Sequence, residues 1–133
     1  MAITSPGDLI DYLVRYPQEV AFGDEEPAVV LDRYHCPGFE LWNDGLRLDR
    51  ARLLAHVRPA RRNATAITIA VHQALMYDDR IAARYTLTAT MRRGPVVATE
   101  IVAFGRLAAD GRLRRLDQVT RVLDHTLVAT PLQ

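Results

Sequence analysis

Apolar residues recur at helical spacing in the first half of this chain and at strand spacing in the second. Leu9, Ile10, Leu13 and Val14 share one helical face, with Tyr12 and Tyr16 flanking it. Ser5 precedes them as a cap candidate, Pro6 suits the first helical position, and Asp8 adds negative charge near the positive end of the helix dipole. Pro17 disfavours helical geometry at Tyr16, so the pattern predicts a helix that ends or kinks there. A second start lies at Gly23-Asp24-Glu25-Glu26-Pro27, ahead of Val29, Val30, Leu31 and Tyr34, and Pro37-Gly38 is its expected stop. Residues 39–42 predict a short strand, closed by the turn Asn43-Asp44-Gly45. Asp49 is the expected cap of a third helix, with Leu53, Leu54 and Val57 on its buried side and Pro59 at its end.

From Ala64 onward the period changes to two. Strand-like runs cover 64–76, 80–92 and 112–123, with another from Val96 that is closed by Asp110-Gly111. Tyr77-Asp78-Asp79, Arg93-Gly94-Pro95 and Asp110-Gly111 are the turn signals between them. Four long β segments after three helical signals predict an α+β fold in which a large, curved, mostly antiparallel sheet forms a cone-like shell with a cavity. One domain over 1–125 is expected, with 126–133 as a tail.

Composition narrows the functional classes. The 133 residues are 49% hydrophobic and 25% charged, with a net charge of +1, so no strong field toward nucleic acid or anionic lipid is implied. All 17 basic residues are arginine, which reads as coding bias. Arg58, Arg61 and Arg62 cluster, as do Arg112, Arg114 and Arg115, but no recognition motif accompanies them; no nucleic-acid partner is expected. Cys36 is the only cysteine, which excludes an internal disulfide and a cysteine-based zinc site. The four histidines show no metal-ligand spacing, and no metal or cofactor is expected. His35 and His125 read as surface residues, and His72 as the best of the four for a pocket. The first residues have neither a basic start nor a long apolar run, and no segment reaches the ~20 apolar residues of a spanning helix. A cytoplasmic protein with no membrane partner is the expectation.

The order of these elements, with particular residues, resembles the nuclear transport factor 2-like superfamily, and within it the SnoaL-like branch of polyketide cyclases, ketosteroid isomerases and limonene epoxide hydrolase. The residues that carry the likeness are Pro27-Ala28-Val29-Val30 leading to Tyr34, then Pro37, and Phe39-Glu40-Leu41-Trp42-Asn43-Asp44-Gly45. Ile81-Ala82-Ala83-Arg84-Tyr85-Thr86-Leu87-Thr88 and Asp110-Gly111-Arg112-Leu113 complete them. The likeness implies a cone-shaped, curved mixed or antiparallel sheet wrapped around three N-terminal helices, a cystatin-like α+β roll. It also implies a ligand pocket and frequent dimerisation. The fold hosts many uses, so it does not fix function.

The same likeness supplies candidate chemistry. Tyr16, eight residues before Asp24, resembles the carbonyl-polarising tyrosine of ketosteroid isomerases. Trp42 and Asn43 fall where those enzymes carry their general-base aspartate, and neither can act as that base. Asn43 also resembles the water-holding asparagine of limonene epoxide hydrolase, and Arg84 its catalytic arginine. Thr86 and Gln118 stand where that hydrolase has its two aspartates. Asp117 is one residue off, on the opposite face of a regular strand unless a bulge brings it round. Glu100 interrupts an apolar run. It reads as edge-exposed, as paired with an arginine such as Arg84 or Arg106, or as a pocket acid with a raised pKa.

Strand 81–91 carries a conflict. Ala82, Arg84, Thr86, Thr88 and Thr90 share one face; Ile81, Ala83, Tyr85, Leu87, Ala89 and Met91 share the other. Hydrophobic logic turns the second face to the core, whereas the likeness turns Arg84 to the cavity. Both hold if the apolar face meets a partner subunit, and that orientation is adopted as the expectation. The expected ligand-binding set is then Tyr16, Trp42, Asn43, Arg84, Thr86 and Gln118, with Asp117, Glu100 and Tyr16 as catalytic candidates. The expected ligand is a small, hydrophobic, oxygenated molecule, and the expected assembly a homodimer through the outer sheet face. Two functions remain open: a cofactor-independent isomerase, cyclase or hydratase, and a non-catalytic binding or dimerisation module.

Overall fold

Ser5 caps the first helix, α1 (Pro6–Phe22), by accepting from the Asp8 amide at 3.1 Å. The computed structural model describes residues 2–123, so the expected tail at 126–133 and His125 lie outside the described residues. Pro17 does not end α1, which runs five residues further. A mid-helix proline costs ~3 kcal/mol, and tertiary contacts offset it. Val20 and Ala21 are buried beyond it, and the Gln18 amide donates to the Ile67 carbonyl. α2 (Pro27–Tyr34) starts at its proline, and its core side is Val30, Leu31 and Tyr34.

Pro37-Gly38 is not the stop of α2. The helix ends at Tyr34, and β1 (His35–Asn43) begins at once. Pro37 and Gly38 sit inside an irregularity of β1, where pairing jumps from His35–Leu113 to Glu40–Arg115. Gly38 takes φ 80° there, a conformation that favours glycine. Asp44 (φ 51°) and Gly45 (φ 83°) form a tight turn into β2 (Leu46–Leu48), a short strand absent from the sequence expectation. Asp49 caps α3 (Arg50–Asn63) through the Arg52 amide at 3.0 Å. α3 also runs past its proline, Pro59. It buries no residue fully, although Leu53 and Val57 pack against the core.

Four long strands follow: β3 (Ala64–Tyr77), β4 (Arg80–Met91), β5 (Val96–Leu107) and β6 (Leu113–Val122). The sheet order is β2-β1-β6-β5-β4-β3. All neighbours are antiparallel except β1 and β6, which are parallel, so the sheet is mixed and open. The helices cover its inner face. Ile81, Ala83 and Tyr85 of β4, Ile101 and Ala103 of β5, and Leu113 and Leu116 of β6 point there and form the core with Leu9, Leu13 and Val30 of the helices. The N-terminus closes one end, with buried Ile3 donating its amide to the Gly111 carbonyl at 2.8 Å.

Hydrophobic alternation, not the likeness, decides the orientation of β4. The face of Tyr85 and Leu87 turns to the helices, and Arg84 and Thr86 turn outward. Burying an unpaired guanidinium against these apolar helices would cost far more than burying Tyr85 gains.

Candidate ligand-binding cavity

The core does not fill the inner face completely. A cavity of about 170 Å³ remains between α1, the start of α3 and the strands β1, β4, β5 and β6. Aliphatic side chains make most of its wall: Leu13 of α1, Leu41 of β1, Leu53 of α3, Leu87 of β4, Ile101 of β5 and Leu116 of β6. Aromatic rings make its deep end. The Tyr12 and Tyr16 rings stack nearly parallel at 5.5 Å, four residues apart on one face of α1. His35 stands edge-on to Tyr16 at 4.8 Å and packs on Phe39 at 4.3 Å.

His35 is 3% exposed and both its ring nitrogens are used. Nδ1 lies 2.7 Å from the Leu31 carbonyl, which can only accept, so Nδ1 carries the proton. Nε2 then accepts from the Tyr12 hydroxyl at 2.8 Å. Burial disfavours the imidazolium and pushes the His35 pKa down to about 4; the Leu31 carbonyl and the Asp32 charge oppose this only partly. Burial likewise pushes Tyr12 and Tyr16 well above the usual phenol range, and Tyr85 up to about 12. These groups are therefore all neutral at pH 7. The Tyr16 hydroxyl has no hydrogen-bond partner among the described residues, yet no buried side-chain oxygen is sealed off without one. The same holds for the Tyr85 hydroxyl, and both residues line the cavity.

Gln118 is the remaining polar lining residue. β6 places it inward beside Asn43 of the parallel strand β1, and its Nε2 donates to Asn43 Oδ1 at 2.9 Å. Asn43 thus holds Gln118 at the cavity's edge.

Of the sequence-predicted residues, the structure brings together Tyr16, Gln118 and Asn43. The other five lie on the outer face. Trp42 donates its indole N–H to Glu40 at 3.0 Å and lies under the Arg115 guanidinium at 5.2 Å. Asp117, its neighbour across the parallel pair, takes both guanidinium bonds of Arg115 at 2.9 and 3.0 Å. That pairing holds its carboxyl below the ordinary range. An extra residue does interrupt β6, but ahead of Asp117, where Arg106 pairs Arg115 and Leu107 pairs Leu113. That bulge lets Leu113 and Leu116 both point inward and leaves Asp117 outside. Glu100 is paired with Arg84 at 3.4 Å and Arg121 at 3.1 Å, the arginine-paired reading of the three. Thr86 bonds His72 Nε2 at 2.8 Å, which places His72 outside too. As a result no acid lines the cavity among the described residues.

Sequence reasoning missed His35, Tyr12 and Tyr85. His35 looked like a surface residue because it follows a helix and precedes Cys36-Pro37-Gly38. Its pairing with Leu113 and its contacts with Tyr12 and Tyr16, all distant in sequence, help bury it. Tyr12 was legible, since it lies four residues before Tyr16 on the buried face.

No protein-family model matches the chain, and no curated protein matches it. Solved structures do resemble it. A nuclear transport factor 2-like protein of unknown function from an Exiguobacterium species superposes with a TM-score of 0.69 at 16% identity, covering 84% of this chain and 97% of the other. The chain has the nuclear transport factor 2-like fold. Within that fold, a candidate SnoaL-like polyketide cyclase from a Jannaschia species matches with a TM-score of 0.66 at 16% identity, covering 95% of this chain and 93% of that one. AclR from Streptomyces galilaeus, a candidate hydroxylase, matches with a TM-score of 0.68 at 15% identity, covering 87% and 88%. No helix among the described residues is long and apolar enough to cross a membrane.

Proposed function

We propose that this protein binds a small, hydrophobic, oxygen-bearing molecule in the cavity between α1 and the inner sheet face. One observation carries the reading: a mostly apolar cavity is lined by two tyrosines, Tyr16 and Tyr85, whose hydroxyls have no protein partner among the described residues. Apolar walls with a few convergent polar groups are the usual composition of a small-molecule site. The likeness to candidate cyclases and a candidate hydroxylase agrees with a ligand of this kind. The test is a thermal-shift screen of apolar ketones and alcohols, with Leu53→Trp as the cavity-filled control. Stabilisation of the wild type but not of the variant supports the reading; equal shifts in both refute it.

A second reading, a cofactor-independent isomerase, cyclase or hydratase, is favoured by the Tyr12–His35 hydrogen bond. In it Tyr16 donates to a substrate carbonyl, and Tyr12 with His35 moves the proton in place of a carboxylate. Loss of turnover without loss of binding in His35→Gln is its test.

The same proposal includes a homodimer through the outer sheet face. Leu75, Phe104 and Val119 are each about two-thirds exposed there, beside Val102, which is about one-third exposed. The ion pairs of Glu100 and Asp117 surround them. A two-fold interface would cover this patch, and sedimentation as a monomer at micromolar concentration would contradict it.

A further inference from the structure

We infer that a groove on the outer sheet face, where Arg80, Arg106 and Arg115 stand abreast, binds a small aromatic phosphomonoester, its phosphate on Arg80 and Arg106 and its ring on Phe104. The groove shares no lining residue with the internal cavity, and it borders the face proposed for dimerisation.

Strand register sets the charges side by side. Arg80 of β4 lies directly opposite Arg106 of β5, and Arg106 directly opposite Arg115 of β6. Like charges in directly opposed positions destabilise a sheet, so folding alone gives no reason for the row. Acids cover it unevenly. Arg115 is satisfied by two bonds to Asp117, at 2.9 and 3.0 Å. Arg106 has Asp79 at 3.6 Å, beyond hydrogen-bond length. Arg80 has no acceptor among the described residues. Two neighbouring guanidiniums therefore keep their donor forks open beside a groove of about 350 Å³.

The anion's chemistry follows from the forks. A carboxylate has two oxygens and saturates one guanidinium, whereas a phosphoryl group has three terminal oxygens and accepts from two at once. Asp117, the acid in the groove wall, is neutralised by Arg115 and repels an incoming anion less than a bare carboxylate would. The organic part follows from Phe104. Its side chain is 64% exposed, and its partner across β4 is Ala82, too small to cover it. A planar ring attached to the phosphate packs there. The volume lies at the low end of the ~300–1,000 Å³ of small-molecule sites, which suits one ring and one phosphate.

The experiment is calorimetric titration in low-salt, phosphate-free buffer with phenyl phosphate, inorganic phosphate and benzoate. Phenyl phosphate is expected to bind saturably, at least about fivefold more tightly than either of the others. Arg80→Gln and Arg106→Gln, both exposed positions checked for folding by circular dichroism, should each weaken it by about tenfold. Arg93→Gln makes the same charge change at the turn after β4 and should leave affinity within about twofold. Leu53→Trp, which fills the internal cavity, should not alter it. No saturable binding to the wild type overturns the inference, as does a loss in Arg93→Gln equal to that in Arg80→Gln. Benzoate as tight as phenyl phosphate overturns the phosphate assignment, and inorganic phosphate as tight overturns the role of Phe104. Loss of binding in Leu53→Trp would put the probe in the internal cavity and overturn the groove, while leaving the cavity reading intact.

Discussion

Acid should lower this protein's stability in two stages, and the first belongs to His35. Its imidazole is buried and neutral, with a pKa pushed from 6.5 down to about 4. The unfolded chain regains the ordinary value, so between these two pH values the unfolded state binds more protons than the folded one. Stability therefore rises with pH across that window. It is complete above pH 6.5 and is lost as pH falls toward 4. A shift of about 2.5 units at ~1.36 kcal/mol each amounts to about 3 kcal/mol. That is a large part of a typical domain stability of ~5–15 kcal/mol. The lowered carboxylates, such as Asp8, Asp32 and Asp117, act only below their unfolded values near 4, so they do not share the window. The assay is urea unfolding at half-unit steps from pH 4.5 to 7.5, for the wild type and His35→Gln. The glutamine keeps hydrogen-bonding capacity and removes the titration. The wild type should lose about 2–3 kcal/mol across the range relative to the variant. Parallel curves for the two proteins would refute the placement of a neutral His35 in the core.

Three further outcomes follow from the same geometry. Phe104→Asp on the outer face should lower self-association while leaving the melting temperature within a few degrees. Leu87→Asp, aimed at the core, should unfold the monomer by burying an unpaired charge, and sedimentation with circular dichroism separates the two results. Asp117→Asn and Glu100→Gln should each change stability by less than ~1 kcal/mol, because surface ion pairs contribute little, and should leave ligand affinity unchanged in calorimetry. Isomerisation of β,γ-unsaturated ketosteroids and hydrolysis of limonene-type epoxides should both be undetectable, since a missing base or acid costs ~10²–10⁴-fold; robust turnover of either would contradict an acid-free cavity.

Much of the fold was legible because it is written locally. Ser5 and Asp49 are side-chain caps, and Asp44-Gly45 is a tight turn, so the boundaries they mark needed no tertiary information. The prolines misled for the opposite reason. Pro17 and Pro59 oppose helix locally, but burial of Val20 and Ala21, and the bonds from the Arg61 guanidinium to the Val20 and Glu25 carbonyls, carry both helices past them. The site was less legible because it depends on which face of each strand turns inward. A one-residue phase choice in β4 sends Arg84 and Thr86 to one side and Tyr85 and Leu87 to the other. The apolar alternation stated the answer that the structure adopts. For Asp117 the phase depends on a bulge between Leu113 and Leu116, for which the sequence has no clear signal. His35 is hidden by similar long-range causes, since β6 and α1 cover it in addition to its near neighbours Leu31 and Phe39.

The central claim is that the space beside Tyr16 is where a ligand sits. Methyl-resolved NMR of the leucine- and valine-labelled protein during titration with acetophenone tests it most directly. Leu13, Leu41, Leu53, Leu87 and Leu116 line the cavity, whereas Leu75 and Val119 lie on the outer face. The account predicts saturable shifts of the first group and none in the second; shifts confined to the outer face, or absent throughout, would contradict it.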